Sequence, residues 1–173
     1  MATSAVFPTE SALSGRTDAR AGKYLTFQLA GEEFGIGVLK VREIMGLQEI
    51  TAVPQTPAFL KGVINLRGKV APVIDLRLKF GLNTEEYTQR TCIIVVQVRG
   101  ESGLILMGVI VDGVSEVVNL TAADIEDTPE FGDQTVGQYL LGMAKVKGKV
   151  KILLDIEKIL STHELTGLNA ILR

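Results

Sequence analysis

Short apolar runs, punctuated by glycine, proline and charge, fill the chain from Lys23 to Leu160. Tyr24-Leu25-Thr26-Phe27-Gln28-Leu29 is rich in β-branched and aromatic residues and predicts a strand. A turn over 30–33 and a returning strand over 34–38 follow, with Gly35 and Gly37 marking a bulge or a close backbone approach. Val41-Arg42-Glu43-Ile44-Met45 alternates, putting Val41 and Glu43 on one strand face and Arg42 and Ile44 on the other. A short amphipathic helix over 39–47 is the competing assignment. The apolar run 50–53 stops at Pro54, and Thr56-Pro57 reads as an N-cap with proline at the first helical position. One helical turn is therefore expected over 58–61, with Gly62 as its stop.

Two more apolar runs, 63–66 and 70–74, flank Arg67-Gly68-Lys69 and predict a tight β-hairpin, since Gly68 supplies the positive φ that the reversal needs. Asp75 is placed to cap a short helix over 76–80 that Gly81 ends. Residues 83–90 are polar and read as a linker. The pattern then restarts. Gln97 answers Gln28, Gly108 answers Gly35, Val114 answers Val41 and Glu116 answers Glu43. Thr128-Pro129 answers Thr56-Pro57, and residues 142–155 repeat the hairpin 62–75 down to a closing Asp155. Matches in one order at nearly constant spacing imply a duplicated unit. A helix over 156–160, a capping box over 161–164, and Leu165, Leu168 and Leu172 on one face complete the C-terminus.

Each unit holds about five short strands, which fits a small closed barrel, and two such barrels packed together are more stable than either alone. The expected layout is a disordered tail over 1–22, a first barrel over 23–82, the linker 83–90, a second barrel over 91–155, and a helical segment over 156–173. The terminal strands are free to exchange between the barrels.

Composition narrows the chemistry. Eighteen basic residues against 20 acidic ones give a formal charge of −2, which argues against nucleic acid as the main partner. Lys145, Lys147, Lys149 and Lys151 form an alternating basic stripe, but aromatic interleaving is lacking. Cys92 is the only cysteine, so an intramolecular disulfide and a Cys-based zinc centre find too few residues, and a Ser-His-Asp triad would have to pass through His163, the only histidine. Gly68-Lys69 and Gly148-Lys149 lie outside any phosphate-loop spacing. A hydrolase would have to work through His163. No cofactor is implied, and no targeting or bilayer-spanning run is evident, so a cytoplasmic protein is expected. Arg67 is the open question: it is either a solvated or Glu43-paired turn residue, or a bidentate handle for a partner carboxylate.

The motifs that carry a resemblance are Val41-Arg42-Glu43-Ile44, residues 56–68 ending in Asn65-Leu66-Arg67-Gly68, Pro72-Val73-Ile74-Asp75-Leu76-Arg77 and Val111-Asp112-Gly113-Val114-Ser115-Glu116-Val117. From about Tyr24 to Leu160 the chain resembles the CheW family of bacterial chemotaxis coupling proteins. The resemblance implies an all-β fold of two five-stranded SH3-like barrels and a non-enzymatic adaptor. Its expected partners are the coiled-coil tip of chemoreceptors, held in an apolar groove between the barrels, and the regulatory domain of the histidine kinase CheA. It further implies recruitment to membrane-associated receptor arrays without insertion. Carried over by position, Val41, Glu43 and Arg67 fall to receptor contact, with Val114 and Val117 on the second barrel. Gly62, Asn65, Gly68 and Gly108 fall to holding the local backbone. An adaptor for another receptor–kinase pathway, such as one controlling pili or development, is the nearest alternative.

Overall fold

The computed structural model describes residues 19–82, 86–100, 103–128 and 138–160. In chain order the described elements are β1 (Gly22–Leu29), β2 (Glu32–Gly37), β3 (Val41–Gly46), β4 (Leu60–Leu66), β5 (Lys69–Asp75), α1 (Leu76–Lys79), β6 (Cys92–Gly100), β7 (Gly103–Val111), β8 (Gly113–Leu120), β9 (Ile125–Glu126), β10 (Leu140–Val146), β11 (Lys149–Leu154) and α2 (Ile156–Leu160). They form two sheets, one in the order β9-β10-β11-β2-β1-β8 and one in the order β3-β6-β7-β5-β4.

The two sheets make a paired SH3-like fold, but the closed barrels expected from strand count are not there. Each sheet stays open, and no ladder among the described residues joins its two end strands. Side chains span the gap instead. Arg67, in the β4–β5 turn at one end of its sheet, pairs with Glu43 on β3 at the other end, at 2.5 Å. Lys147, in the β10–β11 turn, faces Glu116 on β8 at 3.7 Å. In the five-stranded sheet the pair links the two end strands, and in the six-stranded sheet it links the end strand β8 to the β10–β11 turn, one strand in from the other end.

Both sheets draw strands from both halves of the chain. The β1–β2 hairpin joins β11 through the parallel pairs Phe34–Ile152 and Gly35–Leu153. The β6–β7 hairpin joins β5 through Val73–Gly108 and Ile74–Val109. Three apolar cores result. One is enclosed by the second sheet around Ile64, Val73, Ile93 and Val95. A second lies within the first sheet around Tyr24, Leu120, Ile125 and Leu153. The largest combines Phe27, Phe34 and Ile36 of the first sheet with Ile94, Val96, Met107 and Val109 of the second, closed over by Leu76 and Ile159. Strand β6 feeds Ile93 and Val95 to one core and Ile94, Val96 and Val98 to another, which is why it reads as unbroken hydrophobicity rather than alternation.

The duplication extends to local irregularities. Register slips between Leu60 and Gly62 and again between Leu140 and Gly142. Both hairpins turn on two left-handed residues, Arg67-Gly68 at φ 52° and 88° and Lys147-Gly148 at 54° and 80°. Asp75 and Asp155 each donate their backbone N–H to an aromatic residue's carbonyl, Phe59 and Tyr139, at 2.8 Å.

Several local expectations are corrected. Order starts before Lys23: Gly22 opens β1, and Arg20 Nη1 donates to the Leu141 carbonyl at 2.9 Å and to Asp127 at 3.1 Å. The helical turn over 58–61 is a reverse turn, closed by Leu60 N–H donating to the Pro57 carbonyl, because Leu60 and Lys61 are already claimed by the β4 ladder. Thr56 does not cap; its hydroxyl donates to the Val53 carbonyl at 2.8 Å. The helix over 39–47 gives way to a single 3-10 turn, Val38–Lys40, followed by strand β3. The interval 83–90 contains a structural residue, Tyr87, whose hydroxyl donates to Asp75 at 2.8 Å. The main stretch of the tail, Pro129, the 161–164 capping box with His163, and Leu165, Leu168 and Leu172 lie outside the described residues.

Candidate functional site

The candidate residues from the sequence lie on β3, the β4–β5 turn and β8. In the turn, the Asn65 side-chain carbonyl accepts the Gly68 N–H at 2.8 Å, holding the left-handed pair in place. Gly62, at φ 144°, lies against the Thr51 carbonyl where no side chain fits, so β4 packs directly on the Thr51 bridge. Gly108 is similarly tight, with Ile93 and Val73 methyls where its Cβ would stand. This backbone presents Arg67 at the surface, its side chain 74% exposed and that of Glu43 25%.

Strand alternation places the remaining predicted residues unequally. Val41, Glu43 and Met45 are half-buried on one face of β3, with Arg42 and Ile44 exposed on the other. Val41 packs against the largest core, and so does its counterpart Val114 on β8. Val117 lies on the opposite face of β8 from Val114 and is 53% exposed. The structure therefore joins Glu43 directly to Arg67 and sets Val41 and Val114 at equivalent inward positions, but leaves Val117 with the outward set. Residues passed over by sequence reasoning include exposed apolar ones, Ile44 and Val70 in one half and Val150 in the other. For Ile44 the signal was the outward phase of the β3 alternation; Val70 and Val150 each stand next to the hairpin turn, where the strand has not yet entered the core.

A buried polar cluster also went unread. Asp75 does cap α1, accepting the Arg77 N–H at 2.9 Å. The Arg77 guanidinium, however, turns inward onto Asp75 at 3.4 Å and onto Asp112 at 3.2 Å, and stacks over the Tyr87 ring. Burial, then the hydrogen bond to Asp75 and the Asp75 charge, push the Tyr87 phenol up to about 12, with Arg77 opposing. A neutral phenol is thus favoured in the folded state. Its contribution to stability is full below the unfolded value of 10.0 and is lost as pH rises toward about 12. Unfolding titrations of the wild type and of Tyr87→Phe between these limits should show a steeper alkaline loss in the wild type. Equal slopes would mean that Tyr87 ionises as freely folded as unfolded.

Other candidates resolve into structural roles. Burial raises the Cys92 thiol, which makes it a poor nucleophile. Asp155 caps α2, accepting the Lys158 N–H at 3.3 Å. The lysine stripe breaks up, because the chain reverses at Lys147-Gly148: Lys145 pairs with Glu126, Lys147 with Glu116, and Lys151 is buried against Glu33. Among the described residues no group of His, Cys, Asp and Glu could hold a metal ion, and no helix is long and apolar enough to cross a membrane.

Comparison with known proteins agrees with this arrangement. The model of the CheW-like domain matches residues 23–164. The chain belongs to the CheW family. It is 43% identical to the chemotaxis protein CheW of Klebsiella aerogenes, over 91% of each chain. It is 30% identical to the protein FrzA of Myxococcus xanthus, over 81% of this chain and 86% of that one. Among solved structures it is similar to the scaffolding protein TtCheW of Thermoanaerobacter tengcongensis, with a TM-score of 0.74, 33% identity, and coverage of 83% of this chain and 90% of that one. CheW proteins are scaffolds, and this chain is a scaffolding adaptor of the chemotaxis type rather than an enzyme.

Proposed function

We propose that the protein couples chemoreceptors to the histidine kinase CheA by receiving the receptor's helical tip between β3 and β8. The observation that carries this reading is the state of Arg67. It is fixed at a rigid two-residue turn, tied by one nitrogen to Glu43, and 74% exposed. A guanidinium has five N–H donors, so a single contact to Glu43 leaves it able to engage a carboxylate on an approaching helix. Val41 and Val114 would give that helix an apolar floor, while Glu43 and Arg67 at the rim would fix its register. The kinase's regulatory domain would take a separate face. Recruitment to receptor arrays at the membrane then follows from the receptor contact.

Arg67→Glu is the direct test. It places a second carboxylate beside Glu43 on an exposed turn, so folding should be nearly intact while receptor binding falls about tenfold or more. Pull-down with a receptor cytoplasmic fragment and kinase stimulation in a reconstituted complex read this out. Unchanged binding and stimulation would remove Arg67 from the interface. The likeness to FrzA supports a second reading in which the same geometry serves another receptor–kinase pathway. Identification of the kinase captured from native cells separates the two.

A further inference from the structure

The chain passes between its two sheets at equivalent places in the duplicated unit. Val38–Lys40 carries it from β2 to β3, and Asp112 carries it from β7 to β8. Each crossover is gripped by the second residue of a short helix, Arg77 of α1 or Glu157 of α2. At the Asp112 crossover the cation belongs to the helix: Arg77 Nη1 lies 3.2 Å from Asp112 Oδ1, and the Ala30 N–H donates to Asp112 Oδ2 at 2.8 Å. At the Lys40 crossover the polarity is reversed. Lys40 Nζ donates to Glu157 Oε2 at 2.7 Å, and the Arg99 N–H donates to Glu157 Oε1 at 3.1 Å. In both, the acid collects one cation and one backbone amide from the end of an exchanged hairpin.

The two grips differ in their access to water. The acid is 30% exposed in both, but the cation is 4% exposed in the Arg77–Asp112 pair and 42% exposed in the Lys40–Glu157 pair. A pair whose cation is buried resists opening more than one whose cation already meets water. Val41 follows Lys40 directly, and Val114 stands two residues past Asp112, so the crossovers carry both inward residues of the site. We propose that these inverted ion pairs are locks that set the spacing of β3 from β8, with the Asp112 crossover fixed and the Lys40 crossover acting as the adjustable hinge. This rests on the proposed reading of β3 and β8 as the two sides of the receptor site. Lys40 and Glu157 are then positioning residues that act through Val41. Arg42 braces the same crossover, reaching the Leu39 carbonyl at 3.3 Å.

The test uses full-length Lys40→Glu, Glu157→Lys and the double variant Lys40→Glu/Glu157→Lys. Each single reversal should weaken binding of a receptor cytoplasmic fragment by about tenfold and speed amide exchange over 38–46, with little change in melting temperature. The double variant restores the ion pair with opposite polarity but not the acceptor for the Arg99 N–H, so binding and exchange over 38–46 should recover in part. The proposal is overturned if exchange over 38–46 is unaltered in the single variants, if the double variant is no better than the worse single variant, or if binding falls only in step with melting temperature. Failure of the wild type to bind the receptor fragment would instead refute the receptor reading, and the exchange measurement would still decide whether the lock exists.

Discussion

Replacing Arg77 with alanine is expected to destabilise the protein by about 3–5 kcal/mol, the usual cost of removing one partner from a buried ion pair. The Arg77 and Asp75 side chains are 4% and 2% exposed. Without the guanidinium, Asp75 would keep the Tyr87 hydroxyl and the Arg77 N–H, but its charge would lie uncompensated between β5 and α1. Asp112 would lose its cation at the same time. The double variant Arg77→Met/Asp75→Asn removes both charges while leaving an oxygen to cap α1, so it should recover a large part of the loss. Urea unfolding at neutral pH measures both. A single variant within about 1 kcal/mol of wild type would show that the site relaxes or admits water far more readily than its burial implies.

Gly62→Ala should be comparably severe, about 3 kcal/mol or more, through a different mechanism. An added Cβ would overlap the Thr51 carbonyl oxygen, with the Thr51 carbonyl carbon at 2.7 Å and an Ile50 methyl at 2.9 Å, on a backbone at φ 144°. Nothing there is a flexible side-chain end, so the Thr51 bridge to Val63 must separate. Gly68→Ala is the contrasting case. Gly68 also has positive φ, at 88°, but its Cβ would meet nothing within 4 Å, so only the left-handed strain of about 1–2 kcal/mol applies. Thermal melts of the two variants should be well separated. Similar melting temperatures would mean that φ alone, and not the contact with Thr51, makes glycine necessary at position 62.

These two positions also show how far the sequence could be read. The hairpin around Gly68, its repeat around Gly148 and the Asp75 cap are local, each written within a few neighbouring residues, and all were legible. So was the duplication, since each motif recurs in the same order. Arg77 was not legible. It follows the cap residue on a short helix, where a solvated arginine is the ordinary expectation, and its partner Asp112 is distant in the chain. Tyr87 was lost in a polar stretch for the same reason. The sheet composition was hidden too, because β6 offers apolar residues to two cores at once and periodicity cannot say which strand lies beside it. In the candidate site, alternation assigned Val41 and Ile44 to opposite faces of β3 correctly, but it could not say that Ile44 is the one left 45% exposed.

The exchanged hairpins bear on how the chain is made. As it emerges from the N-terminus, β1 and β2 form early but have no sheet to join: β1 awaits β8, and β2 awaits β11, whose Ile152 and Leu153 are among the last described residues to be synthesised. β3, β4 and β5 similarly lack their central strands until β6 and β7 arrive. Loop-closure entropy must be met over most of the chain before either sheet is continuous, which makes folding slow for a protein of this size. Until then the apolar faces that later form the shared core stay uncovered, and a ribosome stalled before Lys149 would hold a chain that has all of one sheet's strands and cannot complete the other.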